Sequence, residues 1–224
     1  ILKPLYNNMN TLDIITERLD KSIGNTIIAT TKLAQDQQII DFCTDKNISY
    51  FTGSENNVLS RFIMAALKMN CNNIIRICSD NPFIDIDLCK NLIYEYDKGE
   101  YDYVTYSYNN KACITFDHGV YCEVIRLQAL QKCLAEANTD LDFEHVTRHI
   151  YLNPNDFKIK FIEAENLWGN INPVRLTLDT EEDLVRIKNL FNYLSPSDYS
   201  FKIFLKKLKD DDNFYKLNKQ GIEK

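Results

Sequence analysis

Two aspartates follow short apolar runs of the kind that form buried strands. The run at 74–78 leads through Ser79 to Asp80, and the run at 175–178 leads directly to Asp179. In an open α/β sheet, ligands bind at the carboxyl ends of the strands, so both carboxylates are expected at that edge. Mg²⁺ favours one or two protein carboxylates together with phosphate oxygens and water. The pair is therefore a candidate metal site beside a phosphate.

Each aspartate also has a purely structural interpretation. Asp80 could begin a turn or cap the helix expected after Pro82, because Asp is common in both positions. Asp179 could help to cap the helix that begins near Thr180, where residues 180–183 have the spacing of a capping box. Both interpretations stay open from the residues alone. Metal binding gains support only because the two aspartates occur as a pair.

The elements that must position these residues alternate between strand and helix in the first half of the chain. Short strands separated by amphipathic helices are typical of βαβ units, so we predict an α/β fold with a mostly parallel central sheet. Strands are predicted at 26–30, 48–51 and 74–78, and helices at 11–19, 35–46, 57–69 and 86–97.

The second half of the chain reads as a mixture of strands and helices that ends in an amphipathic tail. A break at 195–197 suggests one domain over residues 1–194 and a C-terminal helical extension over residues 195–224. The chain opens on a helix, so we expect either that the first strand and phosphate-binding loop of a doubly wound fold lie upstream of Ile1 or that the protein is an unusual member of this fold class. Strands are predicted at 101–108, 119–125, 158–162 and 175–178, and helices at 127–137, 143–151, 180–194 and from Phe201.

The composition excludes several classes of protein. A net charge of −6 over 224 residues argues against a general nucleic-acid binder. No apolar run approaches the roughly 20 residues that a membrane-spanning helix needs. The seven cysteines include no C-x-x-C pair, so we expect buried, reduced thiols in a cytoplasmic protein rather than disulfides or a zinc site.

Four motifs in order carry a family resemblance. They are Gly53–Phe62, Ile75–Asp85, Glu144–Thr147 and Arg175–Leu184. Together they resemble the cytidylyltransferase-like family of spore-coat polysaccharide biosynthesis proteins, which is similar to the CMP-sugar-acid synthetases. The resemblance runs from Ile1 to about Leu194 and implies a nucleotide-diphospho-sugar-transferase-like (GT-A-like) three-layer fold.

The resemblance also implies a reaction, in the biosynthesis of a surface polysaccharide. A hydroxyl of a sugar or sugar acid would attack the α-phosphorus of a nucleoside triphosphate, with CTP expected, and pyrophosphate would leave. By the same resemblance, Asp80 and Asp179 would be the catalytic residues and would bind Mg²⁺. A homodimer is possible by analogy with related sugar-activating enzymes. The sugar and the base are not specified by the sequence.

The remaining site residues are implied by the same resemblance. A basic residue near the phosphates is represented by Lys3, and the family's Gly-Ser-Glu segment near the nucleotide is represented by Gly53, Ser54 and Glu55. Arg76 matches a family arginine, for which a structural ion pair is at least as plausible as contact with the nucleotide.

On the sugar side, Gly119, Glu123 and His145 match family positions. Glu123 could instead be an exposed strand residue, and His145 could make a structural hydrogen bond. The chain departs from the family pattern at 117–118, where Asp-His replaces the usual Pro-Arg, and at Tyr121, where an Asp is usual.

Two other functions use the same fold. A glycosyltransferase would need an acidic pair close together at one strand end, whereas residues 79–81 contain one acid. A non-catalytic binding or scaffolding module would have kept the fold without the chemistry. Pyrophosphate as a product distinguishes nucleotidyl transfer from both.

Overall fold

The architecture is known from a computed structural model, which describes residues 1–20, 23–164, 174–195 and 199–220. Most predicted helices and strands are present, with ends that differ by a few residues. The strands are β1 Ile27–Thr31, β2 Ser49–Gly53, β3 Asn73–Arg76, β4 Tyr103–Tyr108, β5 Lys111–Ala112, β6 Glu123–Arg126 and β7 Ile159–Glu163. The helices are α1 Thr11–Asp20, α2 Gln37–Asp45, α3 Val58–Lys68, α4 Ile86–Asp97, α5 Leu127–Glu136, α6 Asp140–Glu144, α7 Arg148–Leu152, α8 Glu181–Tyr193, α9 Phe201–Asp210 and α10 Asp212–Lys219.

The strands form two sheets rather than one. β1 and β2 pair in parallel, and a second, five-stranded sheet has the order β3-β6-β4-β5, with β7 paired to β4. A groove lined by residues 26–29 and 73–80 separates β1 from β3. Within the described ranges, no strand pairs with the edges of β1 and β3 that face this groove.

The prediction of a mostly parallel sheet is wrong for the larger sheet. β6 pairs antiparallel with both β3 and β4, β5 pairs antiparallel with β4, and only β7 joins β4 in parallel. A parallel pair needs a long crossover, usually a helix, and none occurs between β4 and β6. The chain first turns back into β5 through Asn109 and Asn110, which have φ angles of 49° and 58°, and reaches β6 only at Glu123.

Helices cover both faces of the larger sheet and bury it as the middle of three layers. Successive residues of β4 point to opposite faces, and a hydrophobic core lies on each face. Tyr103 packs in the first core, with α3 and α5, and Val104 packs in the second core. This second core also receives Phe204 of α9 and Phe214 of α10, both of which are buried. The C-terminal helices therefore share a core with the strands.

Asp85, not Asp80, caps the helix that follows Pro82. Its Oδ1 accepts the backbone N–H groups of Asp87 and Leu88 at 2.9 and 3.1 Å, and its Oδ2 accepts the backbone N–H of Phe201 at 2.6 Å. The capping interpretation of Asp80 is thereby excluded, and Asp85 fastens α9 to the start of α4. In the part of the chain that the structure describes, no helix combines the length and apolarity needed to cross a membrane.

Candidate active site

Residues 174–179 bring the two predicted aspartates together. This segment does not form a regular strand, contrary to the prediction at 175–178. Two backbone hydrogen bonds fix it instead, from Leu176 N–H to the Asp117 carbonyl at 2.8 Å and from Leu178 N–H to the Asp80 carbonyl at 2.9 Å. The segment thus lies beside the loops that carry Asp80 and Asp117, and Asp179 follows at its end.

Gly119 allows this close approach. Its φ of +64° is in the left-handed region, and a Cβ there would lie 2.8 Å from the carbonyl carbon of Leu176. Backbone atoms cannot move aside as a flexible side chain can. The family match at Gly119 therefore has a physical cause in this chain, because a glycine lets residues 174–179 pack against the loop.

Gly119→Ala is expected to destabilise the protein by about 3 kcal/mol, because it adds backbone strain and a clash with Leu176. Asn110→Ala is the matched control, since Asn110 is exposed and has a similar φ of 58°. Strain alone should cost about 1 kcal/mol there. Urea unfolding measures both losses, and equal losses would show that the close approach is unimportant.

Arg175 organises the acidic side chains at this point. Its Nη1 pairs with Asp117 Oδ2, its Nη2 lies 2.9 Å from Asp179 Oδ2, and its Nε lies 3.2 Å from Asp183 Oδ1. Thr177 Oγ1 also donates to Asp179 Oδ2 at 2.9 Å. The planar guanidinium thereby holds three carboxylates in a fixed arrangement.

Asp183 anchors the arrangement to α8. Thr180 and Asp183 form the capping box that the sequence predicts, and Arg186 Nη2 lies 2.7 Å from Asp183 Oδ1. Although burial opposes ionisation, the hydrogen bonds from Arg175 and Thr180 hold the pKa of Asp183 well below its usual range. Asp183 is therefore a stable anion that fixes Arg175. Asp179 lies just before the helix, where its carboxylate can contribute to binding a metal ion.

Asp80 is a half-buried acid of this cluster whose ionisation is disfavoured. Burial raises its pKa, and the nearby carboxylates of Asp179 and Asp117 raise it further. Its Oδ1 is buried and has no hydrogen-bond partner. A cation beside Asp80 would relieve both the repulsion and the missing contact, so the residues present fit a divalent metal ion.

The donor set suits Mg²⁺ better than a metal held by protein alone. In the described ranges, no group of three or more His, Cys, Asp or Glu side chains could hold a metal ion by itself. Mg²⁺ uses one or two carboxylates and takes its other oxygens from phosphates and water. Asp80 and Asp179 supply two such carboxylates.

A cavity of about 150 Å³ opens beside these residues. Its polar lining consists mainly of hydrogen-bond acceptors, and its apolar lining comes from the 113–122 region. The lining residues are Cys78, Asp80, Asn81, Thr105, Cys113, Ile114, Phe116, Asp117, Gly119, Tyr121, Cys122, Glu123, Thr177 and Asp179.

Glu123 is buried in this cavity wall rather than exposed. β3 and β6 pair Arg76 opposite Glu123, and the two side chains form an ion pair. Glu123 Oε1 also accepts hydrogen bonds from Tyr103 and from Thr147 Oγ1, the latter at 2.7 Å. Burial alone would lower the pKa of Arg76, but the Glu123 charge outweighs burial and raises it. Arg76 and Glu123 thus neutralise each other's charge, which supports the structural interpretation of Arg76, although its buried Nε has no partner.

The Gly53–Glu55 turn follows β2, at the same end of the small sheet as Thr31 of β1. Arg61 packs its side chain over Gly53, where an added Cβ would lie 3.0 Å from Arg61 Cγ. Arg61 Nη1 donates to the Ser54 carbonyl at 3.0 Å, and its buried Nε has no partner. Glu55 is exposed.

A larger cavity of about 520 Å³ occupies the groove between β1 and β3. Its body is lined mainly by apolar residues, which do not suit a triphosphate. Arg61 and Arg76 contribute to its wall, and Asp80 lines both this cavity and the smaller one. Asp80 therefore stands where the two cavities meet.

Five predicted site residues line neither cavity: Lys3, Gly53, Ser54, Glu55 and His145. Lys3 pairs with Glu181 in the first turn of α8, with its side chain 64% exposed. His145 is exposed at the end of α6 and lines neither cavity. Within the Glu144–Thr147 motif, Thr147 is the residue connected to the site, because its Oγ1 donates a hydrogen bond to Glu123, which lines the smaller cavity. The roles of Lys3 and His145 stay predictions.

Sequence reasoning missed Asp117 and Arg175 as parts of the site. In the sequence, Asp117 is only a departure from the family pattern at 117–118, and Arg175 is only part of a predicted strand and the first residue of a family motif. Their pairing joins residues 58 positions apart. The one available signal is that Asp-His replaces the family's usual Pro-Arg at 117–118, which changes the charge of the segment before Gly119.

Comparisons with known proteins agree with this fold. The structure of a cytidylyltransferase from Leptospira borgpetersenii serovar Hardjo-bovis (strain JB197) matches with a TM-score of 0.83 over 98% of this chain and 90% of that one, at 24% identity. The fold is thus the α/β fold of nucleotidyltransferases. A family model described as cytidylyltransferase matches residues 3–216, so the chain belongs to the cytidylyltransferase family.

Two further relatives are similar in sequence. The spore coat polysaccharide biosynthesis protein SpsF of Bacillus subtilis (strain 168) is 31% identical over 199 residues, which are 85% of this chain and 79% of that protein. The uncharacterized protein MJ1063 of Methanocaldococcus jannaschii is 36% identical over 174 residues, which are 77% of this chain and 68% of that protein. The predicted family resemblance is confirmed.

Proposed function

We propose that this chain transfers a cytidylyl group from CTP to a hydroxyl of a sugar and releases pyrophosphate, in the synthesis of a surface polysaccharide. Membership of the cytidylyltransferase family supports CTP as the donor. Similarity to SpsF supports polysaccharide synthesis as the setting. The single observation that carries the proposal is that Asp80 lines both cavities, with Asp179 and Asp117 beside it.

In this proposal, the nucleotide binds at the carboxyl ends of β1 and β2. The Gly53–Glu55 turn, Arg61 and Asp80 face it there. The buried Nε of Arg61, which has no protein partner, is free to donate to a phosphate oxygen. The sugar enters the smaller cavity beside Asn81 and Gly119.

The protein side chains position the reactants rather than react with them. Asp80 and Asp179 would hold Mg²⁺, which when bound supplies positive charge that stabilises a phosphate under attack. Arg175 and Thr177 keep Asp179 in place, and Asp183 keeps Arg175 in place. Fixing the sugar hydroxyl opposite the leaving pyrophosphate is the main contribution that this arrangement makes to the rate.

Thermal unfolding with nucleotides tests the proposal. CTP with Mg²⁺ should raise the melting temperature by about 5–10 °C at a hundredfold excess over its dissociation constant, because a ligand of the folded state stabilises it. ATP and UTP, and CTP with a chelator, are the matched controls and should give smaller shifts. Equal shifts with all three nucleotides, or a CTP shift that ignores Mg²⁺, would contradict the proposal.

A second assay identifies the chemistry. Incubation with CTP, Mg²⁺ and a panel of sugars should release pyrophosphate and form a CMP-sugar. Release of a nucleoside diphosphate from a nucleotide-sugar would instead indicate glycosyl transfer.

A further inference from the structure

Asn81 follows Asp80 directly and is buried with an unpaired acceptor. The residue is 5% exposed and lines the smaller cavity. In the part of the chain that the structure describes, its buried Oδ1 accepts no hydrogen bond. Most buried polar atoms in proteins have a partner, and an acceptor that stays unpaired destabilises the folded state. The side chain of Asn81 therefore needs an explanation other than stability.

The local fold does not require an asparagine at this position. The backbone N–H of Asn81 donates to the Cys78 carbonyl at 3.2 Å, and the carbonyl of Asn81 accepts the N–H of Ile84 at 3.1 Å. The backbone alone thus closes both turns. The described residues with a positive φ do not include Asn81, and its Oδ1 accepts no N–H from the residues that follow, as it would in an Asx turn. A turn-forming role for the side chain is thereby excluded.

The surroundings of Asn81 are those of a small polar ligand. Ile114 and Phe116 are half-buried and line the smaller cavity together with Asn81. In sites for small molecules, apolar side chains cover the ligand and a few placed polar groups fix its orientation. A sugar matches both parts, because it carries apolar C–H groups and hydroxyl donors.

Asn81 stands on the sugar side of the point where the two cavities meet. Asp80 lines both cavities, whereas within the described ranges Asn81 lines only the smaller one. The Cα atoms of consecutive residues are about 3.8 Å apart. A hydroxyl bound by Asn81 is therefore held close to Asp80, where the proposed function puts the phosphate under attack.

We infer that Asn81 Oδ1 accepts a hydrogen bond from the sugar hydroxyl closest to Asp80, and that this contact selects sugars with a free hydroxyl at that carbon. The inference rests on the proposed function, because that function assigns the smaller cavity to the sugar. It adds a residue that recognises the substrate. The class of ligand is a sugar, neutral or acidic, whose deoxy derivative at the same carbon binds more weakly.

Sugar binding to Asn81 variants tests the inference. Ligand-observed NMR titrations at pH 7, with a chelator and without nucleotide, would first rank glucose, galactose, mannose, N-acetylglucosamine and glucuronate on the wild-type chain. The tightest of these should bind Asn81→Leu at least about tenfold more weakly, because the variant has a similar volume and no acceptor. Asn81→Asp should lose less affinity, because a carboxyl group keeps an acceptor oxygen whether or not it is ionised. Equal binding by Asn81→Leu and the wild type, or a panel in which no sugar binds the wild type, would overturn the inference.

Deoxy sugars locate the hydroxyl. Among the monodeoxy derivatives of the tightest-binding sugar, one should bind the wild type about tenfold more weakly than the parent sugar and should bind Asn81→Leu as well as the parent does. The group removed from the sugar and the group removed from the protein are then partners, so their losses are not additive. Losses that are the same in both proteins for every deoxy derivative would contradict the assignment.

Thermal unfolding separates recognition of a ligand from a role in folding. Asn81→Leu removes an unpaired buried acceptor, so its melting temperature should equal or exceed that of the wild type. Asn91→Leu is the matched control, because Asn91 is half-buried on α4 and its Nδ2 donates to the Tyr106 hydroxyl at 2.8 Å. The control should melt at a lower temperature and keep its affinity for the sugar. A loss of stability in Asn81→Leu as large as that of the control would assign Asn81 to the fold and refute the inference.

The two proposals can fail separately. The sugar titrations need no CTP, and the thermal test of CTP with Mg²⁺ needs no sugar. Loss of sugar affinity in Asn81→Leu, in a chain that ignores CTP, would refute only the proposed function. Turnover with CTP in which Asn81→Leu keeps the wild-type KM for the sugar would refute only the role of Asn81.

Discussion

Asp80→Asn is expected to reduce pyrophosphate release by about a hundredfold or more while the protein stays folded. The substitution keeps the shape of the side chain and removes the charge that would hold Mg²⁺ where the two cavities meet. It also removes the repulsion between Asp80 and the carboxylates of Asp179 and Asp117. Because the folded protein raises the pKa of Asp80, the ionised form is disfavoured in the folded state, and its neutral replacement should not lower the melting temperature.

The expected pattern is thus loss of activity with equal or greater stability. Asp85→Asn is the matched control, five positions along the chain. Asp85 caps α4 and accepts the backbone N–H of Phe201, so its substitution should cost about 1–2 kcal/mol and spare the rate at temperatures well below unfolding. Steady-state pyrophosphate assays and thermal unfolding of both variants check this. Normal turnover by Asp80→Asn would refute its catalytic role.

Asp179→Asn should also reduce the rate of pyrophosphate release. Its Oδ2 accepts from Arg175 and Thr177, and an Asn carbonyl can keep one of these bonds. If Asp80 and Asp179 act as a unit on one metal ion, the double variant should be little worse than either single variant, because such effects are not additive. Additive losses in the double variant would indicate separate roles.

The pairing of Asp80 with Asp179 could be predicted from the sequence because each follows an apolar run. The contacts that bring Asp80 and Asp179 together could not be predicted. Residues 175–178 do not form a regular strand, and two backbone hydrogen bonds to the loops of Asp80 and Asp117 replace the expected ladder. The capping box at Thr180 was predictable because its four residues are contiguous and the contacts are local.

The direction in which β6 runs could not be predicted from the hydrophobic periodicity of the sequence. Alternating apolar residues predict a strand but not the sense in which it runs. The signal for a reversal after β4 lay in Asn109-Asn110, a pair that tolerates positive φ and so favours the tight hairpin turn into β5. The absence of a helical pattern between β4 and β6 agreed with it. Assuming continued βαβ alternation led to the wrong sheet.

The partners of Arg76 and Asp117 could not be predicted by spacing at all. Arg76 meets Glu123 only because β3 and β6 pair in one register, and Asp117 meets Arg175 only because Gly119 allows the chain to pass. Such contacts depend on the assembled fold. The family match marked Arg76 and Glu123 as important without separating a structural role from a binding role.

Glu123→Leu is expected to destabilise the protein by about 3–5 kcal/mol, because it leaves the Arg76 charge buried without a partner. Tyr103 and Thr147 also lose their acceptor. Such a loss is a large fraction of the total stability of a typical domain, about 5–15 kcal/mol, so the milder Glu123→Gln serves as a second variant. It keeps an acceptor oxygen and should lose less.

The double variant Arg76→Met/Glu123→Leu distinguishes an ion pair from a substrate contact. Removing both charges abolishes the unpaired Arg76, so the double variant should be more stable than Glu123→Leu alone, as measured by urea unfolding. A purely substrate-binding Glu123 would give the opposite result. Stability would then change little in either single variant, the double variant would recover nothing, and Glu123→Gln would raise KM for the sugar. Because Glu123 and Arg76 are cross-strand neighbours between the two cavities, recovery in the double variant would mean that their main task is to hold β6 against β3, and thereby to hold the wall that faces Asp80.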